Sequence, residues 1–327
     1  MSGWQRLVRG ESTIDFVGLR RRWLAISVVM VTVSLLSLAI FRLDLGLEFR
    51  GGIAVQSPNP AGATVADFRA AGVGAGEVRI QLVDNGAAVR LQTGPLPPEE
   101  EERLVQAVAD ASGSSFEEAS VEAVGPTFGA TIARRALLAL VVFLGAVALF
   151  ITWRLEWKMA LAGLAALFHD LILTLGVYSV TRLEVTPATV VAVLTILGYS
   201  LYDTVVVFDR VTEETTGIGM TSNRTYGEIA NDALNHVLVR SLSTSVTSLL
   251  PVGSLLFVGG GVLGADTLSD LALALFVGMG VGTYSSIFVA TPLLVWLKER
   301  EPRLAELKEN LQARRGAKDP RSGRPSR

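Results

Sequence analysis

The chain has 327 residues, half of them hydrophobic and only 18% charged, with a formal net charge of −2. That composition leans away from a soluble globular protein, and the absence of cysteine excludes disulfides and thiolate metal sites. The net charge itself says little about partners because the charges are segregated, and no nucleic-acid partner is expected.

Six apolar runs carry the fold. Leu24–Phe41, Ala136–Trp153, Met159–Val180, Pro187–Phe208, Val237–Val258 and Leu271–Leu297 are nearly free of charge. At about 1.5 Å of rise per residue, roughly 20 such residues cross a hydrocarbon core about 30 Å thick. One such run could be a buried core helix, but a chain of this size has no core for six. The expected fold is therefore an α-helical polytopic membrane protein, with a soluble domain between its first two transmembrane helices. Residues 1–23 form an N-terminal segment, 24–41 the first span, 42–132 the inserted domain, 133–297 spans two to six, and 298–327 a basic tail. The first run is followed by Phe41-Arg42-Leu43-Asp44, which offers no small-residue cleavage site, and reads as an uncleaved anchor.

Basic residues set the orientation. Arg6, Arg9, Arg20, Arg21 and Arg22 precede the first span, and ten Lys or Arg residues follow the last. Arg154 and Lys158 lie between spans two and three, and Arg210 and Arg224 between spans four and five. The opposite side has only Arg182, in the turn between spans three and four. Lys and Arg of short loops stay inside, so both termini are expected in the cytosol of a bacterial cell, with the insert outside the cytoplasmic membrane.

Within the insert, Ile53–Gln56 reads as a strand and Thr64–Ala71 as a short helix. Val78–Val83 and Ala88–Gln92 alternate with period two around the hairpin signal Asp84-Asn85-Gly86. Pro97-Pro98 opens a helix with Glu99 to Glu102 in its first turn, and Phe116–Val124 is the last strand. The order β-α-β-β-α-β is that of a ferredoxin-like sandwich. The tail from Arg303 to Arg327 shows no motif or apolar periodicity. It reads as a solvated, partly disordered segment near anionic lipid, dispensable for insertion and export.

Three polar clusters interrupt the spans: His169-Asp170 in the third, Gly198 to Arg210 in the fourth, and Asn235 to Thr247 in the fifth. Ionisable groups in hydrocarbon cost several kcal/mol each and mark ion or substrate routes. Asp203 and Arg240 enter their antiparallel spans from the same side to similar depth. They read as a facing acid and base, serving either as a proton relay or as a staple between two helices. His169 and Asp170 read as relay or as packing, with the two alternatives level. The run Gly278–Gly282 reads as close helix packing. Glu48, Gly51 and Gly52, where the first span meets the insert, read as a possible hinge or a tight connection. No metal is expected from only two histidines, and no hydrolytic or ATP-binding motif is present, so an enzyme is not expected.

These motifs resemble the SecF family of protein-export membrane subunits, within the resistance-nodulation-division superfamily. The resemblance rests on Leu45-Gly46-Leu47-Glu48-Phe49-Arg50-Gly51-Gly52, Val124-Gly125-Pro126, His169-Asp170 and Gly198–Arg210. It continues through Asn235, Arg240, Thr244-Ser245 and Gly282–Ala290. Glu48 stands where the family usually has Asp, Val237 where it has Thr, and the loop between spans four and five is a few residues longer than the family's. The resemblance implies a SecD partner supplying six more helices and a larger outer domain. It also implies use of the proton-motive force to help preproteins finish crossing the SecYEG channel, with protons as the coupling ion and no bound cofactor. It assigns proton transport to Asp203 and Arg240. A proton-coupled small-molecule or lipid transporter half-unit of the same superfamily is the alternative, disfavoured by an insert of only about 90 residues, small for a substrate pocket.

Overall fold

The computed structural model describes residues 14–71, 78–83, 86–218, 222–260 and 266–317. The first membrane helix, α1 (Arg20–Phe41), leads into the insert. There follow β1 (Asp44–Leu45), the single turn α2 (Leu47–Arg50), β2 (Gly52–Pro58) and α3 (Val65–Ala70). The insert closes with β3 (Arg79–Val83), β4 (Ala88–Thr93), α4 (Pro98–Ser112) and β5 (Ser120–Val124). The bundle resumes with α5 (Pro126–Arg154), α6 (Trp157–Thr181), β6 (Glu184–Val185), α7 (Pro187–Thr215) and α8 (Tyr226–Ser254). Its last spanning helix joins α9 (Asp266–Ser285), a π-helical turn Ser286–Ala290 and α10 (Thr291–Lys298). A terminal helix, α11 (Pro302–Ala317), ends the described chain.

Among the described residues six helices are long and apolar enough to cross a bilayer. Of the apolar stretch of α6, 56% is buried against the chain, compared with 11% for α1 and α5. So α6 is central, while α1 and α5 offer most of their surface to lipid or a partner. Missing side chains allow the close crossings. A Cβ on Gly278 would strike Ile196, and one on Gly282 would lie 2.9 Å from Ser200, so α9 seats directly on α7. The run Gly278–Gly282 thus serves packing.

The insert has the expected order. Its four strands lie as β3-β4-β2-β5, all neighbours antiparallel, and Ile53, Val55, Phe68, Val89, Leu91, Val105 and Val108 fill the space under α3 and α4. Thr64 caps α3 by accepting from the Asp67 N–H while Asp67 accepts from the Thr64 N–H. Asp84 and Asn85 of the hairpin signal lie outside the described residues, but the β3–β4 ladder they join is formed. The last strand is shorter than expected. Ser115 donates its N–H to Glu118 at 2.9 Å, and this box closes Phe116–Glu118 into a 3₁₀ turn. Gly51 and Gly52 have φ of 74° and 139°, which the sharp turn from α2 into β2 requires. Gly52 is paired to Val124 in the sheet, and Glu48 sits in the turn packed on Gly129 of α5.

A two-residue parallel ladder, β1 with β6, ties the exit of α1 to the α6–α7 turn and is too short to leave a periodic signal. Ion pairs hold the insert to this base, with Arg50 reaching Asp44 at 3.6 Å beside the closer contacts of Arg79. Arg79 reaches Asp44 at 3.0 Å and Glu184 at 2.9 Å, and Gln92 donates to Glu184 at 3.3 Å. Arg79→Leu is expected to leave the insert folded, because its core is separate, and to speed amide exchange in 44–45 and 184–185. Unchanged exchange there would show that the ladder holds without the arginine.

At the end bearing the termini, α7 and α8 run beyond the apolar segments, to Thr215 and from Tyr226, with Thr225 and Glu228 forming a capping box. Over 303–317 the structure corrects the reading of a solvated tail, while 318–327 lie outside the described residues. The helix α11 lies across this end with Leu307 and Leu311 buried. Glu299 bonds Arg20 at 2.9 Å and Lys308 at 2.6 Å, Glu301 bonds Lys158 at 2.7 Å, and Arg315 bonds Glu228 at 2.6 Å. Leu304, Leu307 and Leu311 recur at three and four, a short apolar stripe hidden among eight charges between Lys298 and Arg315. Burial alone would raise the Glu301 carboxyl, but hydrogen bonds from Lys158 and Lys298 outweigh it and hold the group below its usual range. Its contribution is therefore present above that range and lost as pH falls below it, through the lowered pKa of the folded state. Each buried leucine is worth about 1.5–3 kcal/mol. Deleting residues 301–327 is accordingly expected to lower the amount of protein in membranes several-fold, whereas deleting only 318–327 leaves it unchanged. Equal levels on immunoblots of the two truncations would restore the dispensable tail.

Candidate functional site

The inward stripe of α8 runs through Ala230, Ala233, Leu234, Val237 and Leu238, then lands on Ser241 and Ser245. That spacing puts hydroxyls, rather than Arg240, against the bundle. Ser241 donates to Asp203 Oδ1 at 2.7 Å. Asp203 is buried at 7% exposure on α7, and its Oδ2 has no hydrogen-bond partner. A buried carboxylate oxygen without a donor is satisfied by a proton or by a group arriving from outside the chain.

Arg240 is the correction. It stands at the height of Asp203, as its neighbour Ser241 shows, but successive helix residues point about 100° apart. Its side chain faces out of the bundle, exposed and without an ion pair among the described residues. Ser243 and Thr247 are exposed along the same side, and Tyr202 of α7 is 65% exposed. Thr244 and Thr247 return their hydroxyls to carbonyls of their own helix, at 2.8 and 2.9 Å. Ser245 does so too, and meets Thr283 of α9 at 2.7 Å.

A second acid lies between α6, α7 and α9. Asp170 is fully buried, and its Oδ2 accepts from Ser200 at 2.6 Å and from Ser285 at 2.8 Å. Its Oδ1 lies 3.1 Å from His169 Nδ1, while His169 Nε2 is buried with no partner. The imidazole stacks on Tyr284, whose hydroxyl is 2.9 Å from Ser27 of α1. The structure therefore brings His169 and Asp170 together, and joins them to serines of two other helices. The other histidine, His236, pairs instead with Glu214 at 2.7 Å near the termini. Asp209 and Arg210 sit at that same end, Asp209 facing Arg154 at 3.6 Å and Arg210 bonding Glu213 and Glu214.

Ser241 escaped the sequence reading because Arg240 beside it drew the argument. The i, i+4 continuation of an apolar stripe onto Ser241 and Ser245 was the signal that would have found it. Ser200, Ser285 and Ser286 lie within motif runs, yet nothing in a linear pattern tells which acid each one serves.

Comparison with known proteins gives a consistent set of likenesses. Residues 104–300 match the sequence profile described as "Protein export membrane protein SecD/SecF, C-terminal". The chain is 42% identical to protein translocase subunit SecF of Streptomyces coelicolor, over 95% of this chain and 83% of that one. It is 33% identical to the SecF subunit of Pseudomonas aeruginosa, over 87% of this chain and 92% of that one. The crystal structure of SecDF from Thermus thermophilus superposes with a TM-score of 0.78 at 32% identity. That match covers 89% of this chain and 39% of the longer SecDF chain.

Proposed function

We propose, for a chain that belongs to the SecD/SecF family of protein-export membrane proteins, that it is the SecF-type subunit of a protein translocase. In this reading it uses the proton-motive force, together with a SecD-type partner, to promote late steps of preprotein movement through the SecYEG channel. The observation that carries it is Asp203: a buried acid with one donor and one bare oxygen, in a bundle whose outer face at the same height carries an arginine without an ion pair among the described residues.

The chemistry follows from that geometry. With a proton on Oδ2, Asp203 is neutral and its hydrogen bond from Ser241 suffices. Without it, the carboxylate needs a second donor, which water or a cation entering along the Arg240 face supplies. Exchange between these states moves one proton and changes what α7 and α8 present to their surroundings. The stripe of Arg240, Ser243 and Thr247 on α8 is too polar for lipid, so in this reading the partner subunit covers it. The Lys and Arg bias supports an orientation with both termini in the cytosol and the insert outside the cytoplasmic membrane, where an exported chain emerges.

Translocation of a preprotein into inverted membrane vesicles, with and without a proton gradient, tests the reading. Removing this chain should abolish the response to the gradient and leave the gradient-independent component. A response that persists in full would sink the proposal.

A further inference from the structure

The cavity between the insert and its base holds more cation than its own acids satisfy. It measures about 900 Å³, and Arg50, Arg69, Arg79 and Arg182 line it against two carboxylates, Asp44 and Glu184. Arg79 takes the close contacts with both acids, at 3.0 and 2.9 Å. Arg50 and Arg182 approach Asp44 only to 3.6 and 3.9 Å, and both side chains are more than half exposed. Arg69, exposed on α3, has no ion pair among the described residues. Guanidinium charge is therefore left over at the mouth, in planar forks that match phosphate or carboxylate oxygens two at a time. The depth of the site narrows the choice. Asp44 lies three residues past the end of α1 and Glu184 three past the end of α6, and Arg182 donates to the Phe41 carbonyl at 2.6 Å. That places the ladder in or just above the headgroup layer, roughly 5–8 Å thick on each side of the hydrocarbon. Beside the mouth, Ile40 and Phe41 of α1 and Leu45 of β1 are exposed, and only 11% of the apolar stretch of α1 is buried against the chain. Spare cation above an open apolar wall suits a ligand with a phosphate head and acyl chains, whereas an acidic peptide would use only the charged half.

We propose that this cavity binds the phosphate of a phospholipid from the leaflet on the insert side, with Arg50 and Arg69 as the principal donors and the acyl chains lying along Ile40 and Phe41. The phosphate balances the surplus charge and gives the insert a second tie to the membrane beside the Arg79 ion pairs. The site is remote from the acids of the bundle, so it stands whether or not Asp203 carries protons.

The test follows amide exchange of 44–51 and 92–94 by mass spectrometry, with the full chain held in a phosphate-free nonionic detergent. Phosphatidylglycerol should slow exchange in both segments, saturably. Diacylglycerol of the same chain length, which lacks the phosphate, should not. Inorganic phosphate, which lacks the chains, should need about tenfold more or beyond for the same protection. Arg50→Gln/Arg69→Gln should raise the half-saturating lipid concentration about tenfold or more, since each change removes a charge-assisted contact. Arg103→Gln takes the same charge from α4, outside the cavity, and should leave that concentration unchanged. If the double variant fails to fold, Arg69→Gln alone, which breaks no ion pair, should raise it several-fold. No protection by phosphatidylglycerol, equal protection by diacylglycerol or inorganic phosphate, or an equal effect of Arg103→Gln overturns the assignment. Protection by a soluble acidic peptide at lower concentration than the lipid overturns it in favour of a protein occupant.

Discussion

Replacing Asp203 by asparagine is expected to reduce gradient-driven translocation to the level seen without a gradient, while leaving the protein inserted and its abundance normal. Asparagine has the same shape, and its carbonyl oxygen can still accept from Ser241, which donates at 2.7 Å in the native chain. Its amide occupies the place of Oδ2, which has no hydrogen-bond partner among the described residues. Packing is therefore preserved and only proton exchange is lost. The measurement pairs immunoblotting with translocation into the same vesicles, with and without the gradient. Retained response at normal abundance would remove Asp203 from the proton route. The route would then run through His169 and Asp170, both buried at the bundle centre. A fall in abundance together with response would point to a folding role, and Asp203→Glu, which keeps a titrating group, would separate the two.

Much of this architecture is legible in the chain because membrane physics leaves few options. A run of about 20 apolar residues has to be a helix, since no water satisfies its backbone inside lipid. The alternation of 78–83 and 88–92 places a hairpin, and the acids after Pro98 place a helix start. The polar ends are harder to read. Once α7 and α8 leave the hydrocarbon, nothing in hydropathy distinguishes helix from loop, so the continuation to Thr215 and the start at Tyr226 stay hidden until capping by Thr225 is considered. In α11 three leucines are outnumbered by charges, and their burial depends on a surface built from Arg20, Lys158 and Glu228, far apart in sequence. The site shows the same division. Depth along a helix follows from counting residues, and the counting correctly brings Asp203 level with residue 240. Direction around the helix follows from the apolar stripe, and that stripe selects Ser241. An argument from depth alone pairs the two charges, whereas depth and direction together separate them.

That separation changes what removal of Arg240 should do. Were the arginine bonded to Asp203, Arg240→Met would strand a buried carboxylate at a cost of about 3–5 kcal/mol, and adding Asp203→Asn would relieve it. Asp203 is instead served by Ser241, and the guanidinium faces outward with no ion pair among the described residues. The expected result is that Arg240→Met abolishes the gradient response and weakens co-purification of the partner subunit, because the group stranded by its loss lies outside this chain. Adding Asp203→Asn should then restore neither. In a double-mutant cycle read as the yield of co-purified partner, the coupling between the two substitutions should stay within about 0.5 kcal/mol, as for sites without shared contacts. Arg240→Lys keeps the charge but lacks the planar fork of donors, so it should recover part of the yield. Rescue of yield by Asp203→Asn would mean that acid and base do meet directly, in a second arrangement of α7 and α8 reached by rotating residue 240 inward. The relay would then be a moving ion pair rather than a fixed acid served by serines.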